Sequence, residues 1–406
     1  MESTLDGASG MAGGTHRSFE IGDASGVAFA RRGAAQAAHL AGLDETRAGR
    51  LAIVLTEAAT NILKHAGHGE LLVRALDHGV ELIALDRGPG MSDVHAALAD
   101  GHSTAGTPGT GLGAIRRLSD QFSLWSQPGH GTVLRVLVAQ GDAATGAQAA
   151  SRAALSGPEI GGVCVPYPGE EVCGDGWRAQ ADQNGFTVAV ADGLGHGAEA
   201  HVAATAALDT LRRRAGLAPA ALMTLTDAAL RPTRGAALAL ARFDLARSTV
   251  SFCGTGNIAA AAFGTDKPVM SGPGAPGGMS ASSSGRAWTR GTETAVTAAG
   301  SGLASAARDS YQLVSRNGIV GHTMRGTQEF EFAWRASGML ILHSDGVGTR
   351  WDLAAWPGLA HQPAVVIAAV LYRDFSRRRD DATVVVVKAQ PGVQLNHEYA
   401  TVAHPA

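Results

Sequence analysis

The chain has 406 residues, of which 45% are hydrophobic and 17% charged, and its formal net charge is −3. Such a composition supports packed cores and predicts two or three domains, while the balanced charge argues against nucleic acid or a membrane surface as partner. The three cysteines have no metal-ligand spacing, the N-terminus lacks the plan of a signal peptide, and no apolar run reaches about 20 residues. We therefore expect a cytoplasmic protein.

The first predicted domain covers residues 16–139 and mixes helices with strands. Apolar spacing predicts helices over 26–42 and 45–66, the second beginning after Asp44, a good N-cap, and ending at Gly67. A third, short helix is predicted at Leu112–Ser119. Alternating residues and turn signals predict two hairpins, formed by Leu71–Leu76 with Val80–Leu85 and by Phe122–Ser126 with Thr132–Val138.

A second domain is predicted at 157–390, after a linker at 140–156 that is made of small, unpatterned residues. Its predicted helices cover 197–214, 219–230 and 363–375. Its predicted strands are Thr187–Ala191, Ala236–Phe243, Thr249–Cys253, Met339–His343 and Thr383–Lys388. Residues 264–310 are rich in Gly, Ser, Ala, Thr and Pro, which predicts a flexible insert.

In the first domain, Glu57 and Asn61 lie four residues apart and therefore share one face of the second predicted helix. An amide oxygen suits Mg²⁺, and a carboxylate beside it can orient or deprotonate a hydroxyl group. Taken alone, the pair is more typical of an ordinary solvated helix face.

Two later segments strengthen the hypothesis of a nucleotide site. Asp86 ends a strand and precedes Gly88 and Gly90, so that a carboxylate and a tight turn can meet an adenine base. The stretch Gly109-Thr110-Gly111-Leu112-Gly113 leads into a helix, whose free N–H groups favour phosphate.

The order and spacing of these three segments resemble the GHKL ATP-binding fold, and within it the small serine kinases of the RsbW and RsbT kind. The motifs TEAATNILKHAGHGEL, DRGPG and TGLGAIRRLSDQFSLWSQPGHGT look most like RsbT. The resemblance implies that Asn61 holds Mg²⁺, Glu57 is the catalytic carboxylate and Asp86 reads the adenine of ATP. The pocket and its lid would be shaped by Gly88, Gly90, Gly109, Thr110, Gly111, Leu112 and Gly113.

In the second domain, carboxylates recur at predicted strand ends. They occur in Gly174-Asp175-Gly176, in Asp192-Gly193-Leu194-Gly195-His196-Gly197, in Ser344-Asp345-Gly346 and in Asp380-Asp381. Each motif by itself is also typical of a plain turn. Carboxylates that converge from separate strands suit hard cations such as Mn²⁺ or Mg²⁺, and two such ions can activate water for phosphoester hydrolysis.

The motifs CGDGW, VAVADGLGHG, FCGTGN, LILHSDGV and DDATVVVV resemble, in this order, the PPM family of metal-dependent Ser/Thr phosphatases, in the branch of RsbX and the sporulation stage II protein E. The resemblance implies two Mn²⁺ or Mg²⁺ ions bridged by Asp192, which would also be catalytic. Asp175 and the Gly193 carbonyl would serve one ion, and Asp345 with Asp380 the other. Asp381 would support the ligands, although its role and that of Asp380 are interchangeable at this stage.

Several weaker signals stay open. His65 and His68 flank a predicted helix end and favour a capping role, while His196 beside the metal turn is a candidate for substrate contact. The arginine runs 212–214 and 377–379 are typical of solvated faces, although the second run adjoins the metal motif. The segment 254–257 is interpreted as a structural turn.

These resemblances predict an α+β chain of two domains: a GHKL α/β sandwich followed by a PPM α-β-β-α sandwich. The function they imply is an ATP-dependent serine kinase joined to a phosphatase, acting on a STAS-domain phosphoprotein that controls a sigma factor or its regulator in a stress response. Two alternatives remain: a phosphatase whose ATP-binding domain only senses nucleotide, and an anti-sigma factor that acts by sequestration.

Overall fold

The structure is a computed structural model and describes residues 10–98, 111–141, 158–271 and 310–389. Its first part contains a five-stranded antiparallel sheet in the order β2-β3-β4-β6-β5. The elements in chain order are β1 (Gly10–Gly13), β2 (Arg17–Ile21), α1 (Ala24–Leu40), α2 (Glu45–Asn61), β3 (Gly69–Leu76), β4 (Gly79–Asp86), α3 (Val94–Leu98), α4 (Gly111–Leu118), β5 (Gln121–Gln127) and β6 (Gly131–Ala139).

Helices α1 and α2 both start at an aspartate whose side chain accepts backbone N–H groups. Asp23 accepts bonds from Ser25 and Gly26, and Asp44 accepts one from Arg47. This confirms Asp44 as the predicted N-cap. Helix α2 then continues as a π-helical turn, Ile62–Ala66, up to Gly67 at φ 73°, so the predicted end is right but the last turn is wider than an α-helix.

The second part contains two further antiparallel sheets. One has seven strands in the order β1-β8-β9-β10-β11-β15-β13, and the other has five in the order β14-β12-β16-β17-β7. The elements are β7 (Glu159–Val165), β8 (Asp175–Asp182), β9 (Gly185–Gly193), α5 (Ala198–Arg213), α6 (Pro219–Leu230), β10 (Ala236–Asp244), β11 (Thr249–Thr255), β12 (Ala259–Phe263), β13 (Val269–Ser271), β14 (Ser310–Leu313), β15 (Glu329–Ala333), β16 (Met339–His343), α7 (Ala364–Phe375) and β17 (Ala382–Lys388).

The two sheets of the second part pack face to face through a core that includes Val188, Phe252, Leu342 and Val385. Helices α5 and α6 cover the outer face of the seven-stranded sheet, and α7 covers the outer face of the five-stranded one. These layers form the predicted α-β-β-α sandwich. The first part is the predicted sheet with helices on one face, so the α+β class is confirmed.

The first sheet is buried on both faces. Leu71 and Leu82 point toward α1 and α2, whereas Leu72 and Ile83 point toward α7 of the second part. Burial on both faces explains why β3 and β4 are almost continuously apolar instead of alternating. Strand β1 also crosses between the parts, because it pairs with β8 of the seven-stranded sheet.

Most predicted elements lie where the pattern indicates them, and the differences are local. Val269–Ser271 forms β13 and pairs with β15, so the start of the segment predicted as an insert is a strand. Residues 272–309 of that segment and linker residues 142–156 lie outside the described residues. None of the helices in the described ranges is long and apolar enough to cross a membrane.

Candidate functional site

Helix α2 and the start of α4 bring the first group of predicted residues together. A Cβ atom added to Gly111 would lie 3.3 Å from Glu57 Oε2 and 3.5 Å from Asn61 Oδ1, so the backbone at the start of α4 faces both side chains. The first described turn of α4 therefore lies beside an acid and an amide. Leu112 packs against the core and Gly113 is buried, while Gly109 and Thr110 lie outside the described residues.

Asp86 ends β4 and is partly buried. Its Oδ1 accepts hydrogen bonds from the backbone N–H of Gly88 at 2.8 Å and of Thr132 at 3.2 Å. Burial raises the pKa of Asp86, and these bonds together with the nearby Arg373 guanidinium oppose that shift. The turn is tight: Gly90 has φ 71°, and a side chain on it would overlap the backbone carbonyl of Gln127.

The strand ends of the second part gather the predicted carboxylates. Asp175 on β8 lies directly opposite Asp192 on β9 in the antiparallel register. Burial, and then the charge of Asp192, raise the pKa of Asp175 well above its ordinary value. Burial, and then the carboxylates of Asp345 and Asp380, raise the pKa of Asp192 to about 8. Like charges are thus held close together in a partly desolvated place.

The remaining acids of this carboxylate cluster differ in how they are bound. Asp381 is buried and uses both oxygens, accepting the N–H of Tyr167 at 2.8 Å and of Gly174 at 3.0 Å. Asp380 is partly exposed, and its Oδ1 accepts the N–H of Asp381. Asp345 Oδ2 accepts a bond from Asn257 Nδ2 at 2.6 Å. Asp381 is therefore held by backbone N–H groups on both oxygens, whereas Asp380 is partly exposed.

The carboxylate cluster has the donor chemistry of a hard divalent cation site, although its side chains stand apart. Among the described residues, no three His, Cys, Asp or Glu side chains converge as a ready metal-binding group. Burial, and then repulsion from neighbouring carboxylates, raise the pKa values of Asp175 and Asp192. A cation between them would remove that repulsion, so these residues fit Mn²⁺ or Mg²⁺.

Two side chains at the carboxylate cluster escaped the sequence-based hypotheses. Asn257, at the end of the predicted turn 254–257, donates to Asp345. Ser344 Oγ donates to Asp175 Oδ2 at 2.6 Å and accepts the N–H of Thr383. The polar residue that ends FCGTGN and the serine that precedes Asp345 were the available signals, since polar residues at strand ends next to acids are candidates for orienting them.

The weaker candidates are also located. His196 Nδ1 lies 2.8 Å from Glu170, and its ring stacks on Tyr167 beside the metal motif. His65 and His68 are exposed near the end of α2. In the 377–379 run, Arg378 contacts Glu70 of the first sheet at 2.6 Å, so this run is not simply a solvated face.

Comparison with known proteins agrees with the predicted two-part organisation. Residues 23–138 match the family described as histidine kinase-like ATPase domain. The serine/threonine-protein kinase RsbT of Bacillus subtilis (strain 168) is 37% identical over 92 residues, which are 22% of this chain and 69% of RsbT.

The phosphoserine phosphatase RsbX of the same organism is 28% identical over 90 residues, which are 22% of this chain and 45% of RsbX. A solved structure of RsbX in complex with magnesium superposes with a TM-score of 0.41 at 17% identity, covering 56% of this chain and 94% of that one. The two sequence matches confirm the prediction that an RsbT-like domain is joined to an RsbX-like domain, and with it the prediction of an enzyme.

Proposed function

The chain belongs through its first domain to the family of the RsbT serine/threonine-protein kinases, and from this premise we propose that it is a bifunctional signalling regulator. The first domain phosphorylates serine or threonine on a STAS-domain protein, using ATP and Mg²⁺. The second domain removes such phosphates with two Mn²⁺ or Mg²⁺ ions. The STAS-domain protein controls a sigma factor of a stress response, directly or through a regulator of that factor.

The observation that carries this proposal is the carboxylate cluster itself. Asp175 and Asp192 face each other at the end of two buried strands, with Asp345, Asp380 and Asp381 close enough to shift pKa values within the group. Gathering desolvated like charges costs stability. A hard cation bound between the carboxylates would remove their repulsion, which is why we assign the cluster to metal binding.

In the phosphatase half, Asp192 would serve both ions, Asp175 and the Gly193 carbonyl would serve one of them, and Asp345 with Asp380 would serve the other. When bound, the ions supply an activated water and neutralise the phosphoryl oxygens. The water oxygen would bond to phosphorus while the bond from phosphorus to the serine oxygen breaks, and the serine oxygen would take a proton that the water gives up. The carboxylates would hold the geometry of this attack.

The residues around these proposed ligands keep them in place. Asn257 donates a hydrogen bond to one oxygen of Asp345 and leaves the other oxygen for a cation. Ser344 does the same for Asp175. Asp381, with both oxygens bound to backbone N–H groups, joins the loop at Tyr167 to the turn before Asp175. These hydrogen bonds orient the ligand oxygens before the ions arrive.

In the kinase half, Asn61 holds Mg²⁺ and Asp86 accepts a hydrogen bond from the adenine amino group. Glu57 accepts the proton of the substrate hydroxyl. The hydroxyl oxygen bonds to the γ-phosphorus of ATP, and ADP leaves. Gly88 and Gly90 leave room for the base. The pocket's phosphate side is completed by Gly109, Thr110, Gly111, Leu112 and Gly113, the last three of which open α4.

A second candidate function has its own observation. Arg373, in the phosphatase half, donates a hydrogen bond to the backbone carbonyl of Asp86 at 2.9 Å. This contact favours a first domain that senses nucleotide and reports it to the phosphatase, with no phosphotransfer of its own.

Two assays on the purified chain test the proposal. Hydrolysis of p-nitrophenyl phosphate during a Mn²⁺ titration measures the phosphatase, and calorimetric titration with Mg·ATP measures the nucleotide site. We expect metal-dependent hydrolysis and saturable ATP binding. A chain that hydrolyses the phosphoester equally well in excess chelator contradicts the phosphatase assignment, and one that does not bind ATP contradicts the kinase assignment.

A further inference from the structure

Helix α7 belongs to the second domain but is enclosed by both. Every residue from Ala364 to Arg373 is buried. One side of the helix packs on Val384 and Val386 of β17, and the other packs on Ile83 and Trp125 of the first sheet. A helix that is apolar on all sides is stable only when all its sides are covered. One face of α7 would be exposed to water if the two domains were not docked.

At the C-terminal end of α7, the buried Arg373 reaches into the first domain. Its Nη1 donates to the backbone carbonyl of Asp86 at 2.9 Å, and its Nε and Nη2 donate to the two oxygens of Asp374 at 2.8 and 2.9 Å. Its guanidinium lies 5.5 Å from the ring centre of Trp125. Arg87 returns the contact by donating to the carbonyl of Arg373.

We propose that Arg373 is a positioning residue of the nucleotide site, so that the phosphatase domain completes the site of the kinase domain. This inference rests on the proposed binding of adenine at Asp86. Arg373 does not touch the nucleotide; it fixes the strand end from which the Asp86 carboxylate projects.

The geometry around Asp86 explains why its backbone needs an anchor. The residue is the last of β4, and the chain turns sharply through Arg87 into the segment around Gly88 and Gly90. Gly131 on β6 crosses so close to the Asp86 carbonyl that any side chain there would overlap it. The guanidinium holds this carbonyl from the opposite domain with a charge-assisted hydrogen bond, which is stronger than a neutral one.

Charge adds to the positioning. Burial raises the pKa of Asp86, whereas Arg373 and the bonds from Gly88 and Thr132 lower it. The other charges at this junction are Arg87 and Asp374, which lie 3.6 Å from each other. Asp374 keeps Arg87 and the Trp356 ring N–H as partners when Arg373 is removed, whereas Asp86 loses the positive charge that lowers its pKa, so that pKa rises further.

The test uses the full chain and calorimetric titration with Mg·ADP. We expect Arg373→Ala to raise the Kd about tenfold or more, Arg373→Lys to raise it less, and Arg377→Ala, an exposed arginine on the same segment, to leave it unchanged. Asp86→Asn, which removes the adenine acceptor, sets the scale for complete loss.

A pH series separates positioning from general damage. Asp86 accepts a hydrogen bond best when ionised, so binding weakens as pH falls through its pKa, and in Arg373→Ala this weakening should start at a higher pH than in the wild type. The inference is wrong if Arg373→Ala has the wild-type Kd. It is also wrong if Arg373→Ala and Arg373→Lys raise the Kd by the same factor at every pH. Neither result affects the proposed function. A wild type that binds no adenine nucleotide overturns the proposed function, and this inference with it.

Discussion

Asp175 and Asp192 are cross-strand neighbours: the register of β8 and β9 sets them directly opposite each other. Side chains in such a pair have Cβ atoms about 4.5–5.5 Å apart, and like charges at that distance repel. Here the pair is also desolvated, which raises the pKa of both acids. The register of β8 and β9 thus places two acids where a bound cation would stabilise them. The proposed phosphatase chemistry uses such a cation.

The first prediction tests that pair. Asp192→Asn removes the charge proposed to bridge both ions, so we expect p-nitrophenyl phosphate hydrolysis to fall on the order of 10³-fold or more, with a weaker response to Mn²⁺. Asp381→Asn should be milder because Asp381 is held by backbone N–H groups. If Asp381→Asn loses much more hydrolysis activity than Asp380→Asn, then Asp381 is the metal ligand and Asp380 the supporting residue.

The second prediction separates the two halves. Asn61→Ala should abolish Mg·ATP-dependent phosphotransfer and leave the hydrolysis of p-nitrophenyl phosphate nearly intact, because Asn61 lies on α2, remote in sequence and domain from the carboxylate cluster. Thr60→Ala, whose hydroxyl bonds only to the helix carbonyl of Thr56 in the described contacts, is the matched control. Equal loss of both activities in Asn61→Ala would indicate a shared site or a folding defect.

The third prediction concerns a glycine at the carboxylate cluster. A methyl group on Gly346 would overlap the backbone carbonyl of Asp381, whereas one on Gly348 would have its nearest neighbours in Phe375 at 3.6–3.9 Å, an ordinary contact. We expect Gly346→Ala to lose about 1–3 kcal/mol of unfolding free energy and most of its Mn²⁺ response, and Gly348→Ala to lose little of either. Urea denaturation and Mn²⁺-dependent hydrolysis measure both. Equal stability of the two variants would contradict this packing argument.

The fourth prediction concerns pH. Burial by itself would raise the pKa of Glu81, but the Arg74 guanidinium, a hydrogen bond with His16 and Arg135 hold it well below its ordinary 4.5. The stability from a carboxylate with a depressed pKa is present above that ordinary value and is lost as pH falls through the folded pKa.

We therefore expect Glu81→Gln to reduce the unfolding free energy at pH 7 by about 3–5 kcal/mol, because the buried Arg74 and the partly buried Arg135 lose their carboxylate partner. The difference from the wild type should shrink below pH 4.5. The exposed Glu45→Gln should cost less than about 1 kcal/mol at either pH. Urea denaturation at pH 7 and pH 4 measures these differences, and a pH-independent gap for Glu81→Gln would refute the linkage.

Local patterns were sufficient to predict the elements whose signals lie within the element. Helix α6 begins and ends at its predicted residues, and Met339–His343 is a strand with the predicted bounds, because apolar periodicity and turn residues determine both. The π-helical turn after Asn61 was not predictable, since its wider hydrogen bonding has no residue signature in ILKHA.

Long-range contacts account for the rest. Strand β1 pairs with β8 across about 160 residues of sequence, and neither strand's own residues specify that partner. Asn257 and Ser344 become relevant only when folding brings them to Asp345 and Asp175. Arg373 is similarly an ordinary helix-end arginine in the sequence, and only domain docking brings it to Asp86.

The measurement that most directly tests the central claim follows one phosphate through both halves. STAS-domain proteins are incubated with the purified chain and ATP labelled at the γ-phosphate, first in Mg²⁺ and then after Mn²⁺ addition and removal of ATP. We predict label on the STAS-domain protein followed by its release as phosphate, no labelling with Asn61→Ala, and labelling without release with Asp192→Asn. Label that never reaches any STAS-domain protein, or that the Asp192→Asn protein releases as fast as the wild type, would contradict the account.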